Sequence, residues 1–269
     1  MTEPVPIEHL ALVALIQGIT EFLPVSSSGH LILVPALSGR ADQGLQIDVA
    51  VHVGTLGAVL AYLWRDVGRV LTGLWRGLRG RSDPGLTLAF QLVLATLPLV
   101  GAGYALSRYG GDILRSAEVV AWATLGFGLL LWFADRTGMT IKRIEHMSYA
   151  AALFIGLSQV LALIPGTSRS GITMTAARLL GYERSEAARF SMLLAIPAIL
   201  AAGSLTGFDL YKAGDAQLTL DAAIAAGLAF VSALLAIIAM MSWLRRASFL
   251  PFVIYRILLG GGLLYWIYG

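Results

Sequence analysis

The chain has 269 residues, of which 57% are hydrophobic and only 13% charged, whereas soluble domains carry about 25% charged residues. One integral membrane domain over 1–269, all-α and polytopic, is expected, and the modest net charge of +3 is read through where the positives sit; no nucleic-acid partner is expected. With no cysteine in the sequence, disulfides, thiolate metal sites and cysteine nucleophiles are excluded.

Met1-Thr2-Glu3-Pro4 lacks the basic start of a signal peptide, so the first hydrophobic stretch is expected to stay in the mature protein. That stretch, Ile7 to Leu37, is broken by Glu21-Phe22-Leu23-Pro24-Val25-Ser26-Ser27-Ser28-Gly29-His30. A polar turn from Gly39 to Gly44 leads into a span, Ile47 to Trp64, that carries Asp48 and His52. Arg65 to Gly85 reads as the most basic loop, and Leu86 to Leu106 as the next span. A mixed-charge turn with Arg108, Asp112, Arg115 and Glu118 precedes the span Val119 to Ala134, and Arg136, Lys142 and Arg143 follow it. The second broken run, Tyr149 to Leu180, is interrupted by Pro165-Gly166-Thr167-Ser168-Arg169-Ser170-Gly171 and ends near Gly181. Three more spans are expected, about Ala188 to Gly207, Leu220 to Met241 and Phe249 to Tyr268. Each is near the roughly 20 residues a helix needs to cross the hydrocarbon.

Positive residues in short loops orient such a chain. With the Arg76 loop inside, thirteen of the nineteen Lys and Arg fall on that side: Arg65, Arg69, Arg76, Arg79, Arg81, Arg136, Lys142, Arg143, Arg178, Arg184, Arg189, Arg245 and Arg246. Arg40, Arg108, Arg115 and Lys212 fall outside, and Arg169 and Arg256 lie at membrane depth. This holds only if each broken run enters and leaves on one side. The expected fold is therefore six transmembrane helices plus two re-entrant helical hairpins, with both termini outside. Leu125-Gly126-Phe127-Gly128-Leu129-Leu130-Leu131-Trp132 matches Leu259-Gly260-Gly261-Gly262-Leu263-Leu264-Tyr265-Trp266 at six of eight positions, and Ser26-Ser27-Ser28-Gly29 reads against Ser168-Arg169-Ser170-Gly171. Three spans per half invert the second copy, giving inverted repeats of about 1–140 and 141–269, an arrangement that places its site at the repeat interface.

Polar groups at bilayer depth are costly unless they face a cavity, so the two breaks are expected to meet in one site. Each second arm begins at a serine and glycine cluster: Ser26, Ser27, Ser28 and Gly29 in the first, Ser168, Ser170 and Gly171 in the second. Helix N-termini there suit an anion, and Arg169 adds a forked guanidinium for phosphate or carboxylate. The alternative is that the serines are only helix caps. Gln17 and Glu21 share a helix face; Glu21 is a candidate ligand, with Gln17, for a hard divalent cation, or a base, or the ion-pair partner of Arg169. Ser27 and His30 are spaced as a nucleophile and its partner. Thr173 offers the pocket a hydroxyl or bonds back to its own helix. Asp48 and His52 read as solvated at a span end, Arg256 as a headgroup or helix-end contact, and Trp64, Trp75, Trp132, Trp243 and Trp266 as interface anchors.

Gln17-x-x-x-Glu21 with Pro24-Val25-Ser26-Ser27-Ser28-Gly29-His30, and Pro165-Gly166-Thr167-Ser168-Arg169-Ser170-Gly171-Ile172-Thr173, resembles the undecaprenyl-diphosphatase, or bacitracin-resistance, family over essentially the whole chain. The resemblance implies an inner-membrane phosphatase that converts undecaprenyl diphosphate to the monophosphate carrier of envelope polymers, with a site opening outward, dependence on a divalent cation (Mg²⁺ or Ca²⁺) and a homodimer. Its motif positions fall on Gln17, Glu21, Ser26, Ser27, His30, Ser168, Arg169 and Thr173. Many members carry Glu at the place of Gln17, so one carboxylate remains here. Ser27 is the preferred nucleophile, with His30 or Glu21 taking its proton; water activated at His30, or His30 itself, is the alternative. A secondary transporter of an anion or lipid carrier is the competing function.

Overall fold

The computed structural model describes residues 6–31, 44–109, 116–138, 140–213 and 216–269. The positions read from sequence at Met1–Pro4, 39–43, Arg40, Asp112 and Arg115, and the side chain of Lys212, lie outside what is described.

A proline sets each of the two helix breaks. Helix α1 (Ile7–Phe22) ends where Leu23 turns extended, with ψ 144°, because Pro24 disfavours the helical region for the residue before it. Helix α2 starts at Ser27 and its described part covers 27–31. In the second half, α7 (Tyr149–Gln159) continues as a 3₁₀ turn, Val160–Leu163, and Ile164 turns extended before Pro165. The chain restarts as α8 (Arg169–Leu179). Before each restart stands a serine in the left-handed region, Ser26 at φ 79° and Ser168 at φ 72°, the two non-glycine residues with positive φ among those described. Such a conformation costs about 1–3 kcal/mol. Each serine hydroxyl offsets part of this by accepting the N–H three residues on, Gly29 for Ser26 and Gly171 for Ser168.

The other elements are α3 (Leu45–Tyr62), α4 (Trp64–Gly77), α5 (Pro84–Tyr109), α6 (Ala117–Thr137), α9 (Arg184–Ala213), α10 (Ala216–Leu244) and α11 (Leu250–Tyr268). Among the described residues, α5, α6, α10 and α11 are long and apolar enough to cross a membrane, or five spans if the bent pair α3–α4 counts as one. The chain is a polytopic membrane protein. Residues 64–77, read from sequence as part of a basic loop, are helical. They leave α3 at 84°, because arginines in the first turns keep the segment out of the hydrocarbon while its apolar stripe still favours a helix.

Helices α1 and α3 pack on α10, α7 and α9 pack on α5, and α6 pairs with α11. Glycines let α1 and α7 approach closely: a Cβ at Gly18 would lie 1.8 Å from Ser232 Oγ, and one at Gly156 would lie 2.4 Å from the Ala95 carbonyl.

Three positives counted toward orientation are structural. Arg178 is wholly buried, and its Nε donates to Asp135 Oδ1 at 3.1 Å; Arg184 Nε reaches the same oxygen at 2.7 Å. Arg189 pairs with Asp66. On the loop before α5, the Arg76 guanidinium and the Gly85 N–H hold the Asp83 carboxyl below its usual range.

Candidate active site

The two breaks meet at one carboxylate. Glu21, on the last turn of α1, is buried, and three neutral or cationic donors converge on it. Arg169 Nη2 donates to Oε1 at 2.6 Å. Ser27 Oγ donates to Oε2 at 2.7 Å, and Gln17 Nε2 donates to the same oxygen at 2.9 Å. Ser27 and Arg169 are each the first helical residue after the strained serine of their break, so equivalent backbone turns aim both at Glu21.

Two buried polar atoms around this carboxylate have no partner among the described residues: Arg169 Nη1 and Gln17 Oε1. A buried guanidinium N–H left unpaired is costly, and here it belongs to the fork that suits a phosphate. Gln17 Oε1 is an oxygen acceptor beside a carboxylate, which is the donor chemistry of a hard divalent cation. Among the described residues no group of three or more His, Cys, Asp or Glu is placed to hold a metal. A cation here would need oxygens from its substrate.

The remaining hydroxyls bond to one another or to backbone carbonyls. Ser170 Oγ donates to the Leu23 carbonyl at 2.8 Å and so ties one break to the other. Ser26 and Ser28 hydroxyls pair at 3.4 Å, and those of Ser168 and Ser170 at 3.1 Å. Thr173 bonds back to the Arg169 and Ser170 carbonyls and meets Ser191 Oγ on α9 at 2.7 Å.

His30 is turned away from Ser27. Its Nδ1 donates to the Ser26 carbonyl at 2.6 Å, which makes Nε2 of the neutral ring the acceptor for the Tyr255 hydroxyl at 2.5 Å. The two rings stack with centroids 5.7 Å apart.

Three residues near the site were read differently from sequence or passed over. His52, assigned to a solvated span end, lies with Nε2 3.8 Å from Glu21 Oε2. Tyr255 had no signal beyond its place beside Arg256. Arg256, read as a headgroup or helix-end contact, is wholly buried. Its Nη1 donates to the Pro24 and Thr167 carbonyls at 3.2 and 2.9 Å, its Nη2 to Gly166 O at 3.0 Å, and its Nε to Thr124 O at 3.0 Å. One guanidinium thereby clamps the turn of both breaks to α6. Its burial at membrane depth was the available clue; that its partners are carbonyls of distant turns was not in the local sequence.

The fold and site together define a polytopic α-helical membrane protein with a buried serine–carboxylate–arginine centre where two helix breaks meet. The chain belongs to the bacitracin resistance protein BacA family, whose model matches residues 10–262. It is 62% identical to the undecaprenyl-diphosphatase of Ruegeria pomeroyi over 94% of this chain and 95% of that protein. It is 54% identical to undecaprenyl-diphosphatase 1 of Rhodospirillum rubrum, covering 95% and 93%, and 46% identical to the undecaprenyl-diphosphatase of Alteromonas mediterranea, covering 97% and 98%.

Proposed function

We propose that Ser27, Glu21 and Arg169 form the reacting centre through which this chain performs its family's reaction. The chain is an undecaprenyl-diphosphatase: it dephosphorylates undecaprenyl diphosphate, and it confers bacitracin resistance. The observation that carries the assignment of the centre is the convergence of Ser27 Oγ and Arg169 on the two oxygens of Glu21.

Arg169 neutralises Glu21 through Oε1. An arriving diphosphate competes for the guanidinium, whose Nη1 has no partner among the described residues. As Arg169 turns to phosphate, Glu21 is released from its ion pair. Its Oε2 then takes the Ser27 proton while Ser27 Oγ bonds to the terminal phosphorus and the bond to the bridging oxygen breaks. Undecaprenyl phosphate leaves, and water hydrolyses the phosphoserine, releasing inorganic phosphate and restoring the Ser27 hydroxyl. Arg169 offsets the charge that develops on the phosphoryl oxygens, the kind of positioning and electrostatics on which phosphoryl transfer mainly depends. Glu21 and Gln17 Oε1 are the residues that would hold a Mg²⁺ or Ca²⁺, and the cation would supply further charge neutralisation. His30 holds the Ser26 turn and thereby the direction of Ser27.

The same reading gives six spans with two re-entrant hairpins in inverted repeats. Helix α8 has 11 residues, about 16 Å of rise, too short to cross the bilayer. The matched serine turns, and the packing of α1 and α3 on α10 as of α7 and α9 on α5, support the repeat. Both termini and the site opening are assigned to the outer face of the inner membrane, where the product re-enters envelope polymer synthesis as lipid carrier, and the chain acts as a homodimer. An apolar cavity of about 700 Å³ between α1, α10 and α11, lined by Leu15, Ile19, Leu23, Val231, Leu235 and Phe252 among others, offers the prenyl tail a lateral groove.

Purified protein in detergent, given undecaprenyl diphosphate and Mg²⁺ or Ca²⁺, releases inorganic phosphate on this reading, and Ser27→Ala does so at least about 10²-fold more slowly. Wild type that released none under any metal while moving labelled anion into liposomes would assign the fold to transport instead.

A further inference from the structure

Helix α4 is remote from the reacting centre and plays no part in the mechanism above. It starts after a one-residue break and leaves α3 at 84°, so that, with α3 crossing the bilayer, α4 lies close to the membrane plane. Its position against α5 is fixed by glycine contacts that leave no room for a side chain. A Cβ at Gly73 would meet Leu86 N at 2.3 Å, and one at Gly85 would meet the Arg69 carbonyl at 2.2 Å. The rotation of α4 about its own axis is therefore set by backbone packing.

That rotation presents two unused faces. Trp64, Leu71, Leu74, Trp75 and Leu78 recur at helical spacing along one stripe, and each is exposed, Leu78 by 83%. Beside the stripe, Arg65, Arg69, Thr72 and Arg76 line an open groove of about 650 Å³ against Asp83, Pro84 and Gly85. Asp83 occupies Arg76, at 2.8 Å. Asp66 lies 3.6 Å from Arg69 but is already held by Arg189 through both carboxylate oxygens. Arg65 and Arg79 stack over Trp64 and Trp75 at 5.2 and 4.6 Å, which keeps their charge at the edge of the apolar stripe.

An apolar stripe flanked by tryptophans and arginines, lying across the end of a span, is the chemistry of an interfacial helix. Its apolar side enters the acyl boundary while its cations meet phosphate headgroups. We propose that α4 and the groove it forms with the start of α5 are a binding site for anionic phospholipid, with the phosphodiester held by Arg65 and Arg69 and the acyl chains against Trp64 and Leu71. The ligand is a membrane lipid distinct from the substrate, and the site is separate from Glu21. Phosphatidylcholine offers the same phosphodiester, but its choline cation is repelled by the arginines and cancels the headgroup charge, so the site discriminates by net headgroup charge.

Delipidated full-length protein in neutral detergent is titrated with phosphatidylglycerol or phosphatidylcholine, and bound lipid is counted by native mass spectrometry. Wild type retains phosphatidylglycerol in preference to phosphatidylcholine. Each arginine at an anionic surface contributes on the order of a fivefold preference, so Arg65→Gln and Arg69→Gln combined lower phosphatidylglycerol retention by about 25-fold. Arg245→Gln and Arg246→Gln combined, an equal charge loss at exposed positions outside the groove, cost the specific preference far less. Equal retention of the two lipids by wild type, or equal losses in the two double variants, overturns the proposal. Since the chain has no cysteine, Leu71→Cys also accepts a single environment-sensitive fluorophore. Its emission shifts to the blue in phosphatidylglycerol vesicles, whereas a probe that stays in water there, or is buried only when another protein is added, overturns the lipid assignment.

Discussion

Ser27 and Arg169 hold opposite oxygens of one carboxylate: Ser27 donates to Glu21 Oε2 at 2.7 Å and Arg169 to Oε1 at 2.6 Å. The two residues are 142 positions apart in sequence yet occupy the same place in two like turns, each directly after a serine of positive φ. In the proposed mechanism this shared carboxylate serves both as the base for Ser27 and as the partner of the guanidinium, and a phosphate that engages Arg169 frees it for Ser27.

The Ser27–Glu21 hydrogen bond makes a matched prediction. Ser27→Ala and Glu21→Gln each lower phosphate release by about 10²–10⁴-fold, while diphosphate binding persists in Ser27→Ala. Single-turnover kinetics with equilibrium binding checks it, and turnover by Ser27→Ala near the wild-type rate would move the attack to water.

Arg169→Lys is expected to fail almost as badly as Arg169→Ala. A lysine can neutralise Glu21 but cannot present two parallel donors, and loss of one such contact in a preorganised site costs about 10²–10³-fold in turnover. Comparing kcat/KM of the two variants tests whether the fork or only the charge is needed.

Arg256 donates to four carbonyls on three segments at 3.2 Å or less. Arg256→Met removes the donor that ties these carbonyls together, leaving the Pro24 and Thr167 turns without it, and the expected loss is about 3–5 kcal/mol of stability. A thermal-unfolding scan in detergent reads it directly, with turnover falling only as the folded fraction falls.

Tyr255→Phe removes the donor to His30 Nε2 and no other contact of the centre. A stability loss of about 0.5–1.5 kcal/mol is expected, with a modest fall in turnover because Ser26 and Ser27 lose part of their support. His30→Ala is expected to act in the same direction; its combination with Tyr255→Phe adding nothing would identify one shared interaction.

Chelation is the test of the oxygen pair on α1. EDTA is expected to suppress turnover and Mg²⁺ or Ca²⁺ to restore it. Gln17→Glu supplies a second carboxylate and should lower the cation concentration needed for half-maximal rate.

Helix positions were legible because composition and periodicity follow from the solvent. The spans read at Leu86 to Leu106 and Leu220 to Met241 fall within α5 and α10, and the span read at Phe249 to Tyr268 begins one residue before α11. Both broken runs were legible because a proline, glycine and serines at bilayer depth conflict with a continuous helix. Helix α4 was not. Its arginines dominate any charge count, whereas its helicity depends on an apolar stripe and on the close approach of Gly73 to the start of α5.

The sequence by itself determined the membrane class, the two interruptions and the residue types of the centre, since each is a local consequence of what hydrocarbon tolerates. Only the tertiary structure decided which of those residues meet. It gave Ser27 to Glu21 and His30 to Tyr255, brought His52 within 3.8 Å of Glu21, and put Arg256 at the crossing of both turns. Partners as far apart along the chain as His30 and Tyr255, or Pro24 and Arg256, are chosen by the packing of α6, α8 and α11 around the breaks, and nothing in the local sequence of either partner carries that information.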